Sequence, residues 1–541
     1  MEKGVDLTKA TWRDQVIVGT TENGHDSSIA IVKNGRLVAA LAAERNSGKK
    51  KDGRIIDSLL EYVCTQANVQ LEDIDWVVSC TCGHDTTYHQ MGQKSKGGKL
   101  RIKSKPGIVT GLSQLSNVDP DEGKSGLKVT PKTYYIPHHI CHAAATYFTS
   151  PFDEAVCATL DCCDFDYYVG RGLNSLYTHF KGSRFINNVN PYCYDGVKYA
   201  QTTDYTGFEP CLERAGTLMG LSSYGKYKER WADLINAEPE VRGGHVEKAR
   251  YPKYTEDLES VMDIAKTQQV IFEENVMKFV DGAAESLGVP YVDNVCLAGG
   301  SFLNCNLNGR IVRERDYNTH LFPACGDDGL SVGAALFFNH CVLGAPKVEY
   351  SEAELVYLGF QYSKHADIDH AYIAKKIADG KVVGLMNGRA EFGPRALGNR
   401  SILADPRNPH MKEWINHMIK KREWFRPFAP MVLEEEYEDW FDFPIPSPYM
   451  LYTAPVKQPD KIPAVTHVDN TARFQTVREE TNPDVYKILQ EFKKITGVPV
   501  LLNTSLNGKG QPILEYENHA YQFWDEVPID MMVIHGTILE R

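Results

Sequence analysis

The sequence predicts a mixed α/β protein of two domains, and three observations point to that fold class. The chain has 541 residues, more than one hydrophobic core normally organises. Short apolar runs typical of strands alternate along it with amphipathic stretches typical of helices. The composition changes at about residues 340–352, around the segment GAPKVEYSEAE. This change predicts a linker between one domain of residues 1–345 and a second of residues 352–541.

The overall composition is that of a soluble globular protein, with 42% hydrophobic and 24% charged residues. Lysine and arginine number 59 against 71 aspartates and glutamates, and the net charge of −12 argues against broad nucleic-acid binding. No apolar run approaches the length of a membrane span, and the N-terminus lacks a signal-peptide core. The 13 scattered cysteines indicate reduced thiols and a cytoplasmic location.

The chain opens with a strand at 16–19, followed by a polar turn and by strands at 29–32 and 37–42. Asn34-Gly35 between the last two strands is a hairpin signal. Strand–turn–strand with small hydroxyl residues is typical of the phosphate loops of actin- and hexokinase-like folds. His25 and Asp26 in the turn are therefore a candidate catalytic pair facing a cleft. The alternative is that His25 and Asp26 only cap a turn and have no catalytic role.

The next segments predict a helix at 55–70 and a strand at 76–80. The basic, glycine-rich residues 94–107 predict a surface loop, either a lid over a site or a purely solvated loop.

Two histidines in PHHICHAA have the spacing of a metal site. His138 and His142 stand at positions i and i+4, so on a helix both imidazoles share one face. Pro137 suits the first turn of that helix, and His139 points elsewhere as a candidate substrate or supporting contact. A strand at 155–160 then ends in Asp161, a position where such folds place a phosphate- or metal-facing carboxylate.

Three glycine-rich segments follow around a long amphipathic helix predicted at 256–288. Residues 206–226 predict a tight turn at 219–221, beside a ligand or packed on a sheet. Residues 296–308 predict strand, Gly299-Gly300 turn and helix, whose first amides suit a nucleotide phosphate. Residues 323–338 repeat that pattern, and Asp327 there is either an N-cap or a third ligand to His138 and His142, suited to Fe(II) or Zn(II).

The second domain is predicted to begin its site after a strand at 381–385. GRAEFGPRALGNRSILADPR (388–407) and KKREWFRPFAP (420–430) place at least seven cations within about 40 residues, and an arginine fork matches phosphate or carboxylate oxygens. The stretch therefore predicts an anion site, phosphate first; a solvated basic surface or structural ion pairs are the alternatives. A later strand at 497–502 leads into Asn503, Thr504 and Ser505, which suit a phosphate or a small carbonyl compound.

Taken together, these motifs resemble the O-carbamoyltransferases of the nodulation, cephamycin and nebramycin type. The similar segments run in order over nearly the whole chain: GHDSS (24–28), HHICHAA (138–144), MGLSSYG (219–225), GGSFLNC (299–305), PACGDDGLSVGAA (323–335), EFGPRALGNRSI (391–402), KREWFRPFAP (421–430), TARFQTV (471–477) and LLNTSLN (501–507). The resemblance implies an N-terminal Kae1-like domain of the actin/hexokinase superfamily and a C-terminal YrdC-like α/β domain.

The resemblance also implies a two-step reaction. Carbamoyl phosphate and ATP would give carbamoyl adenylate in the second domain, and the first domain would transfer the carbamoyl group to an alcohol. The implied carbamoyl phosphate and ATP contacts are Arg395, Arg400, Ser401, Lys420, Lys421, Arg422, Arg426, Arg473, Asn503, Thr504 and Ser505.

The remaining implied residues belong to the first domain. A divalent metal, Fe²⁺ with Mg²⁺ as an additional candidate, would be bound by His138, His142 and Asp327. The candidate catalytic residues are His25, Asp26, His139 and Asp161. The nucleotide would be lined by Gly299, Gly300, Asn304, Gly326 and Asp328.

The chain departs from the family pattern after Asp161, where Cys162-Cys163 replaces the expected glycines. Two other functions are alternatives: a Kae1-type tRNA threonylcarbamoyl transferase, which the acidic net charge disfavours, and a non-enzymatic ATP-binding regulator. The expected acceptor is a small secondary-metabolite alcohol, with the net charge favouring a cationic aminoglycoside or guanidinium alkaloid. Neither nucleic acid nor membrane is expected as a partner, and family habit suggests a homodimer.

Overall fold

The computed structural model describes residues 12–21, 25–55, 57–81, 133–161, 174–237, 250–361 and 365–541. Within these ranges the strands form two five-stranded sheets, one seven-stranded sheet and a two-stranded ribbon. The two five-stranded sheets belong to the first part of the chain, and the other two to the second part. We call these parts the first unit and the second unit.

The first sheet has the strand order β3-β2-β1-β4-β5. Its strands are β1 (Val16–Thr21), β2 (Ser28–Lys33), β3 (Arg36–Ala42), β4 (Trp76–Thr81) and β5 (Thr133–Pro137). The first three strands are antiparallel, while β4 and β5 run parallel to β1. Asn34 and Gly35 have φ of 53° and 81°, as a type I′ turn requires, so the predicted hairpin is confirmed.

The second sheet repeats this arrangement with the order β8-β7-β6-β9-β10. Its strands are β6 (Glu154–Leu160), β7 (Ser175–Lys181), β8 (Arg184–Val189), β9 (Asn294–Ala298) and β10 (Asn318–His320). Again the first three strands are antiparallel and the last two are parallel to the first. The first unit therefore contains one topology twice, in agreement with the predicted actin/hexokinase-like fold.

The helices of the first unit cover these sheets and fill the space between them. They are α1 (Ala43–Ser47), α2 (Asp57–Ala67), α3 (His138–Thr149), α4 (Asp195–Tyr205), α5 (Cys211–Leu221), α6 (Glu229–Asn236), α7 (Leu258–Asp281), α8 (Ala283–Ser286), α9 (Cys305–Glu314) and α10 (Leu330–Phe337). Helices α3 and α10 pack against each other; α10 also lies on β1 and α3 on β6. Every residue of both helices is buried, and Tyr147, Val332 and Phe337 belong to one apolar core cluster.

Two local predictions are wrong. The tight turn expected at 219–221 is the last turn of α5, and Gly220 there faces Pro427 of the second unit, 3.5 Å from where its Cβ would stand. Pro137 ends β5 and precedes α3, so it lies outside the first helical turn. The long helix expected at 256–288 is confirmed as α7, followed by the short α8.

The second unit is built on the seven-stranded sheet β16-β13-β17-β12-β11-β18-β19. Its strands, with those of the ribbon β14–β15, are β11 (Val383–Met386), β12 (Arg400–Ala404), β13 (Ala429–Leu433), β14 (Thr453–Pro455), β15 (Thr471–Arg473), β16 (Gln475–Val477), β17 (Val500–Ser505), β18 (Met531–Ile534) and β19 (Thr537–Glu540). Its helices are α11 (Glu352–Val356), α12 (His370–Ala378), α13 (Met411–Trp414), α14 (Tyr437–Trp440), α15 (Pro483–Thr496) and α16 (Glu517–Glu526).

The two units share one buried apolar core. A single cluster contains Phe208 and Phe302 of the first unit together with Phe425 and Phe474 of the second. Helix α9 meets the ribbon so closely that a Cβ at Gly309 would stand 2.2 Å from the Thr453 carbonyl oxygen. The two units are therefore held together by extensive apolar packing.

Within the part of the chain that the structure describes, no helix combines the length and the apolar character needed to cross a membrane.

Candidate active site

Four potential metal ligands converge in the first unit. His138 and His142 come from α3, Asp161 follows β6, and Asp327 begins the turn before α10. The Nε2 atom of His142 lies 3.2 Å from Asp161 Oδ2, 3.3 Å from Asp327 Oδ1 and 3.1 Å from His138 Nε2. One ligand atom from each of the four residues lies within 4.8 Å of the others. The predicted trio is thus brought together, and Asp161 joins it.

Local sequence explains this convergence. The helical spacing of four residues aligns the two imidazoles, as predicted. Gly299 has φ of 101°, and a Cβ there would stand 2.3 Å from the Leu160 carbonyl oxygen, so only glycine fits beside the end of β6. The neighbouring Gly300 then donates its N–H to Asp161 Oδ2 over 3.2 Å. The glycine turn therefore holds the Asp161 carboxylate in place.

The electrostatics of this group favour a bound cation. Burial and the nearby Asp161 carboxylate raise the pKa of Asp327. Burial opposes the charge of Asp161 as well, yet hydrogen bonds from His138 and His142 hold its pKa well below the usual range. Two buried carboxylates and two imidazoles form a donor set that suits Fe(II) or Zn(II). The residues present therefore fit a divalent metal.

The predicted pair His25 and Asp26 lies at the edge of this group. His25 Nδ1 is 3.2 Å from Asp26 Oδ2 and 3.7 Å from Asp327 Oδ2. Burial lowers the pKa of His25, but the hydrogen bond with Asp26 and the charge of Asp327 outweigh burial and raise it. Lys51 also donates to Asp26, a contact that sequence reasoning missed. The pair therefore lies next to the four potential metal ligands.

The other candidates in the first unit are placed as follows. His139 is 2% exposed, and its Nδ1 lies 3.2 Å from Thr159 Oγ1, beneath the site. Asn304 caps α9 by accepting from Leu307 N, and its side chain also pairs with Gln269. Gly326 precedes the Asp327 turn, while burial and the charge of Asp26 raise the pKa of Asp328 to about 7. Asp328 therefore belongs to the same polar group as Asp26.

Five cations gather in the second unit, and we call Arg395, Lys420, Arg422, Arg426 and Arg473 the cation cluster. Burial, and then repulsion by Arg473, lowers the pKa of Arg395 to about 9. Burial followed by Arg426 and Arg473 also lowers the pKa of Arg422 well below its usual value. The buried Nε atoms of Arg395 and Arg473 find no acceptor among the described residues. Buried cations that repel one another, with donors unused, are suited to an anionic ligand.

Some members of the cation cluster also have partners within the fold. Lys420 donates to the Asn507 side chain over 2.7 Å and to Ser505. Arg422 donates to Asn416 Oδ1 over 2.6 Å. Glu423, 3.9 Å from Arg426, is paired with Arg214 of the first unit. Carboxylates therefore offset only a small part of the cluster's positive charge.

The structure does not bring every predicted anion contact to this cluster. Arg400 is fully buried, and its guanidinium donates to the carbonyl oxygens of Gly388, Asn399, Phe360 and Glu515. Lys421 is exposed, with a left-handed φ of 44°. Ser401 is buried and accepts from Gly398 N. Arg400 and Ser401 therefore contribute to the fold at their observed positions.

The candidates on β17 are divided between two faces, because neighbouring residues of a strand point to opposite sides. Asn503 donates to the Ala396 carbonyl oxygen over 2.9 Å, next to Arg395. Ser505 donates to Asn507 Oδ1 over 2.7 Å, beside Lys420. Thr504 lies between them and faces the other side. Asn503 and Ser505 therefore support the cation cluster, and Thr504 does not share their face.

The alternative interpretation of structural arginines holds for two residues of the same stretch. Arg389 donates to the carbonyl oxygens of Val38, Leu358 and Gly359, and Arg407 forms an ion pair with Asp405 over 2.6 Å. We call residues 388–399, between β11 and β12, the arginine loop. Gly393 in this loop is so close to the first unit that a Cβ would stand 3.1 Å from the Pro323 carbonyl oxygen. Pro323 lies only four residues before Asp327.

Three sequence features fall outside the described residues. They are Gly24 of the GHDSS motif, the basic loop 94–107 and the Cys162–Cys163 pair.

Comparison with known proteins finds sequence relatives over nearly the whole chain. A family model described as "Carbamoyltransferase N-terminus" matches residues 16–260 and, in a second segment, residues 242–336. A model described as "Carbamoyltransferase C-terminus" matches residues 374–541. An uncharacterized protein of Synechocystis sp. is 32% identical, covering 97% of this chain and 96% of its own length. Nodulation protein U of Sinorhizobium fredii is 30% identical, covering 90% of this chain and 93% of its own length. Component A of the Acidaminococcus fermentans (R)-2-hydroxyglutaryl-CoA dehydratase aligns structurally over 61% of this chain and 99% of its own, with 12% identity and a TM-score of 0.36.

Proposed function

The chain belongs to the carbamoyltransferase family, and from that premise we propose that it is an ATP-dependent O-carbamoyltransferase acting in two steps. The second unit would form carbamoyl adenylate, and the first unit would pass its carbamoyl group to a hydroxyl of a small acceptor. The observation that carries the proposal is the presence in one molecule of a cation cluster and a His₂Asp₂ group. Gly393, two residues before Arg395, packs against Pro323, four residues before Asp327.

The first step calls for a site that binds two polyanions at once. Water hydrolyses carbamoyl phosphate to carbamate and inorganic phosphate. The carbamate oxygen then attacks the α-phosphorus of ATP, and the bond from that phosphorus to pyrophosphate breaks. Arg395 and Arg473, with unused Nε donors, would bind phosphate oxygens, and Arg422 and Arg426 would add positive charge. Bringing two anions together in this way is chiefly an electrostatic and positioning task.

The second step calls for a group that takes a proton from the acceptor. The acceptor oxygen attacks the carbamoyl carbon, the bond to the AMP oxygen breaks, and an O-carbamate and AMP result. His25 is the candidate base, because its imidazole lies at the edge of the ligand group and is oriented by Asp26 over 3.2 Å. Lys51 on the same carboxylate would keep Asp26 charged and fixed.

A divalent metal would be held by His138, His142, Asp161 and Asp327. When bound, it would supply Lewis-acid polarisation of an oxygen atom of the nucleotide or the carbonyl group. The chain's own part is to hold these ligands in a buried group and to keep His25 beside them.

The acceptor class follows from charge. The carboxyl groups of Asp26 and Asp328 and the net charge of −12 support a cationic alcohol, which we propose as the acceptor. Competition assays with a cationic aminoglycoside and a neutral macrolide test this. Preference for the neutral alcohol would overturn it.

The test of the proposed function is pyrophosphate release from ATP by the purified protein, with and without carbamoyl phosphate. Release that depends on carbamoyl phosphate is expected before any acceptor is known. ATP binding without that dependence would favour a nucleotide-binding regulator.

The metal site is tested by His142→Ala, with the exposed His410→Ala as a control. The His142 variant should lose bound metal, measured by elemental analysis, while carbamoyl-phosphate-dependent pyrophosphate release is largely retained. Loss of both properties in a folded protein would show that the ligand group also serves the first step.

A further inference from the structure

Four buried charges lie within or beside the arginine loop. Arg45 of the first unit and Glu391, Arg400 and Glu515 of the second unit are each at most 2% exposed. Two cations and two anions make the group neutral overall, which is the condition for burying so many charges. The arrangement spans the junction between the two units.

Arg45 is the member that crosses this junction. It lies in α1, and its Nη2 donates to the Gly393 carbonyl oxygen over 2.9 Å. Its Nη1 is 3.7 Å from Glu515 Oε2 and 3.5 Å from the Ile513 carbonyl oxygen. One side chain of the first unit therefore contacts the arginine loop in its middle, two residues before Arg395.

The rest of the network shapes the same loop from inside the second unit. Glu391 Oε1 accepts three backbone N–H groups, from Leu397, Asn399 and Arg400, over 2.7–3.1 Å. Arg400 in turn donates to the Gly388 carbonyl oxygen at the start of the loop. The loop is therefore fixed at both ends from within, and Arg45 contributes its contact from the opposite unit.

Helix α1 faces both candidate sites. Glu44, the residue before Arg45, accepts the backbone N–H of Lys51 over 2.9 Å, and Lys51 contacts Asp26. Arg45 contacts Gly393, and Gly393 in turn lies against Pro323, near the turn that carries Asp327. Adjacent residues of one short helix thus connect the His25–Asp26 pair to the arginine loop.

We propose that Arg45 is a positioning residue that holds the arginine loop against the first unit, so that carbamoyl adenylate formed at the cation cluster stays enclosed until transfer. This inference rests on the proposed function. Without Arg45 the loop separates from α1 and water reaches the intermediate. Water then attacks the carbamoyl carbon, AMP leaves, and the carbamate breaks down to carbon dioxide and ammonia.

The first measurement is the time course of pyrophosphate release without acceptor, using ATP and carbamoyl phosphate. The intact protein should show a burst of about one pyrophosphate per chain followed by slow turnover. Arg45→Gln should keep the burst and raise the later rate at least tenfold, and Arg45→Lys should give an intermediate rate. Arg36→Gln is the matched control, because Arg36 also contacts later residues, Glu349 and Glu354, but from an exposed position.

The second measurement is hydrogen–deuterium exchange with inorganic phosphate present, followed at the amides of Leu397 and Asn399. Exchange should accelerate in Arg45→Gln and stay unchanged in Arg36→Gln. A burst and a later rate that fall together, or unaltered exchange in a folded variant, would overturn the positioning role. If the intact protein releases no pyrophosphate, the proposed function fails, while the exchange experiment still decides what Arg45 positions. Arg45→Lys keeps the buried charge and provides a folded variant for both measurements.

Discussion

Two arginines only five positions apart in the sequence differ sharply in their surroundings. Arg395 lies among other cations with a buried, unused Nε donor. We expect Arg395→Ala to reduce carbamoyl-phosphate-dependent pyrophosphate release by about 100-fold or more, because one charged contact to a reacting anion is lost. The rates are measured by steady-state kinetics, with Arg407→Ala as the control variant. Arg407 is paired with Asp405 outside the cation cluster, so its loss should leave pyrophosphate release unchanged. Equal activity of the two variants would remove Arg395 from the site.

Arg400 is expected to matter chiefly for stability. Its removal would take one donor away from each of four carbonyl oxygens and one positive charge away from the buried Glu391 and Glu515. We therefore expect Arg400→Ala to lower the free energy of unfolding by about 3–5 kcal/mol, measured by urea denaturation. Full stability combined with lost pyrophosphate release would instead return Arg400 to the phosphate site that its motif predicts.

The residues that sequence reasoning identified are those whose spacing carries their chemistry. His138 and His142 could be found because the helical period aligns them, and Asp161 because it ends a strand. Lys51 could not be found, because it stands in the run Lys49-Lys50-Lys51, which is typical of a solvated surface. Only the folded position beside Asp26 distinguishes it from its neighbours.

At the scale of elements, the crossing of α3 and α10 positions the metal-type ligands. A Cβ at Gly333 of α10 would stand 1.8 Å from the Cys141 carbonyl oxygen of α3, one residue before His142. We expect Gly333→Ala to destabilise the protein by about 1–3 kcal/mol, since the helices must move apart, and to weaken metal binding. Thermal unfolding and metal titration measure the two effects.

Gly216 provides the matched control for this prediction. It also lies inside a helix, α5, but among the described residues no neighbouring atom comes within 4 Å of where its Cβ would stand. Gly216→Ala should leave metal binding unchanged and stabilise the protein by up to about 1 kcal/mol, because alanine favours helix. If both variants lost stability and metal affinity to a similar extent, the close packing of α3 and α10 at Gly333 would not be the cause.

Helix α5 is the element that the sequence predicted wrongly, because its glycines resemble those of a turn. Gly216 and Gly220 fall four residues apart in a segment rich in turn formers, which favours a loop. In the structure both lie in α5, and Gly220 allows close approach to Pro427. A glycine selected for distant packing and one selected for a turn look alike in a single sequence.

For the whole molecule, the shared core predicts cooperative unfolding. The units meet through Gly309 against Thr453 and through Asn308, which donates to the Leu451 carbonyl oxygen over 2.9 Å. We expect a single calorimetric transition, with the van't Hoff and calorimetric enthalpies equal. Residues 352–541 expressed alone should expose the apolar interface and bind a hydrophobic dye. Two separate transitions would show instead that the units fold independently.

The repeated topology of the first unit has a consequence for whatever enters its crevice. In each repeat, polar residues follow the first strand and again follow the fifth: His25 and Asp26 with His138 and His142 in one, Asp161 with Asp327 in the other. These residues occupy equivalent positions in the two repeats but differ in chemistry. The first repeat provides the two imidazole ligands, and the second provides the two carboxylate ligands. The same backbone topology thus carries different side chains in its two copies. A molecule bound between the repeats would therefore have chemically different neighbours at its two ends.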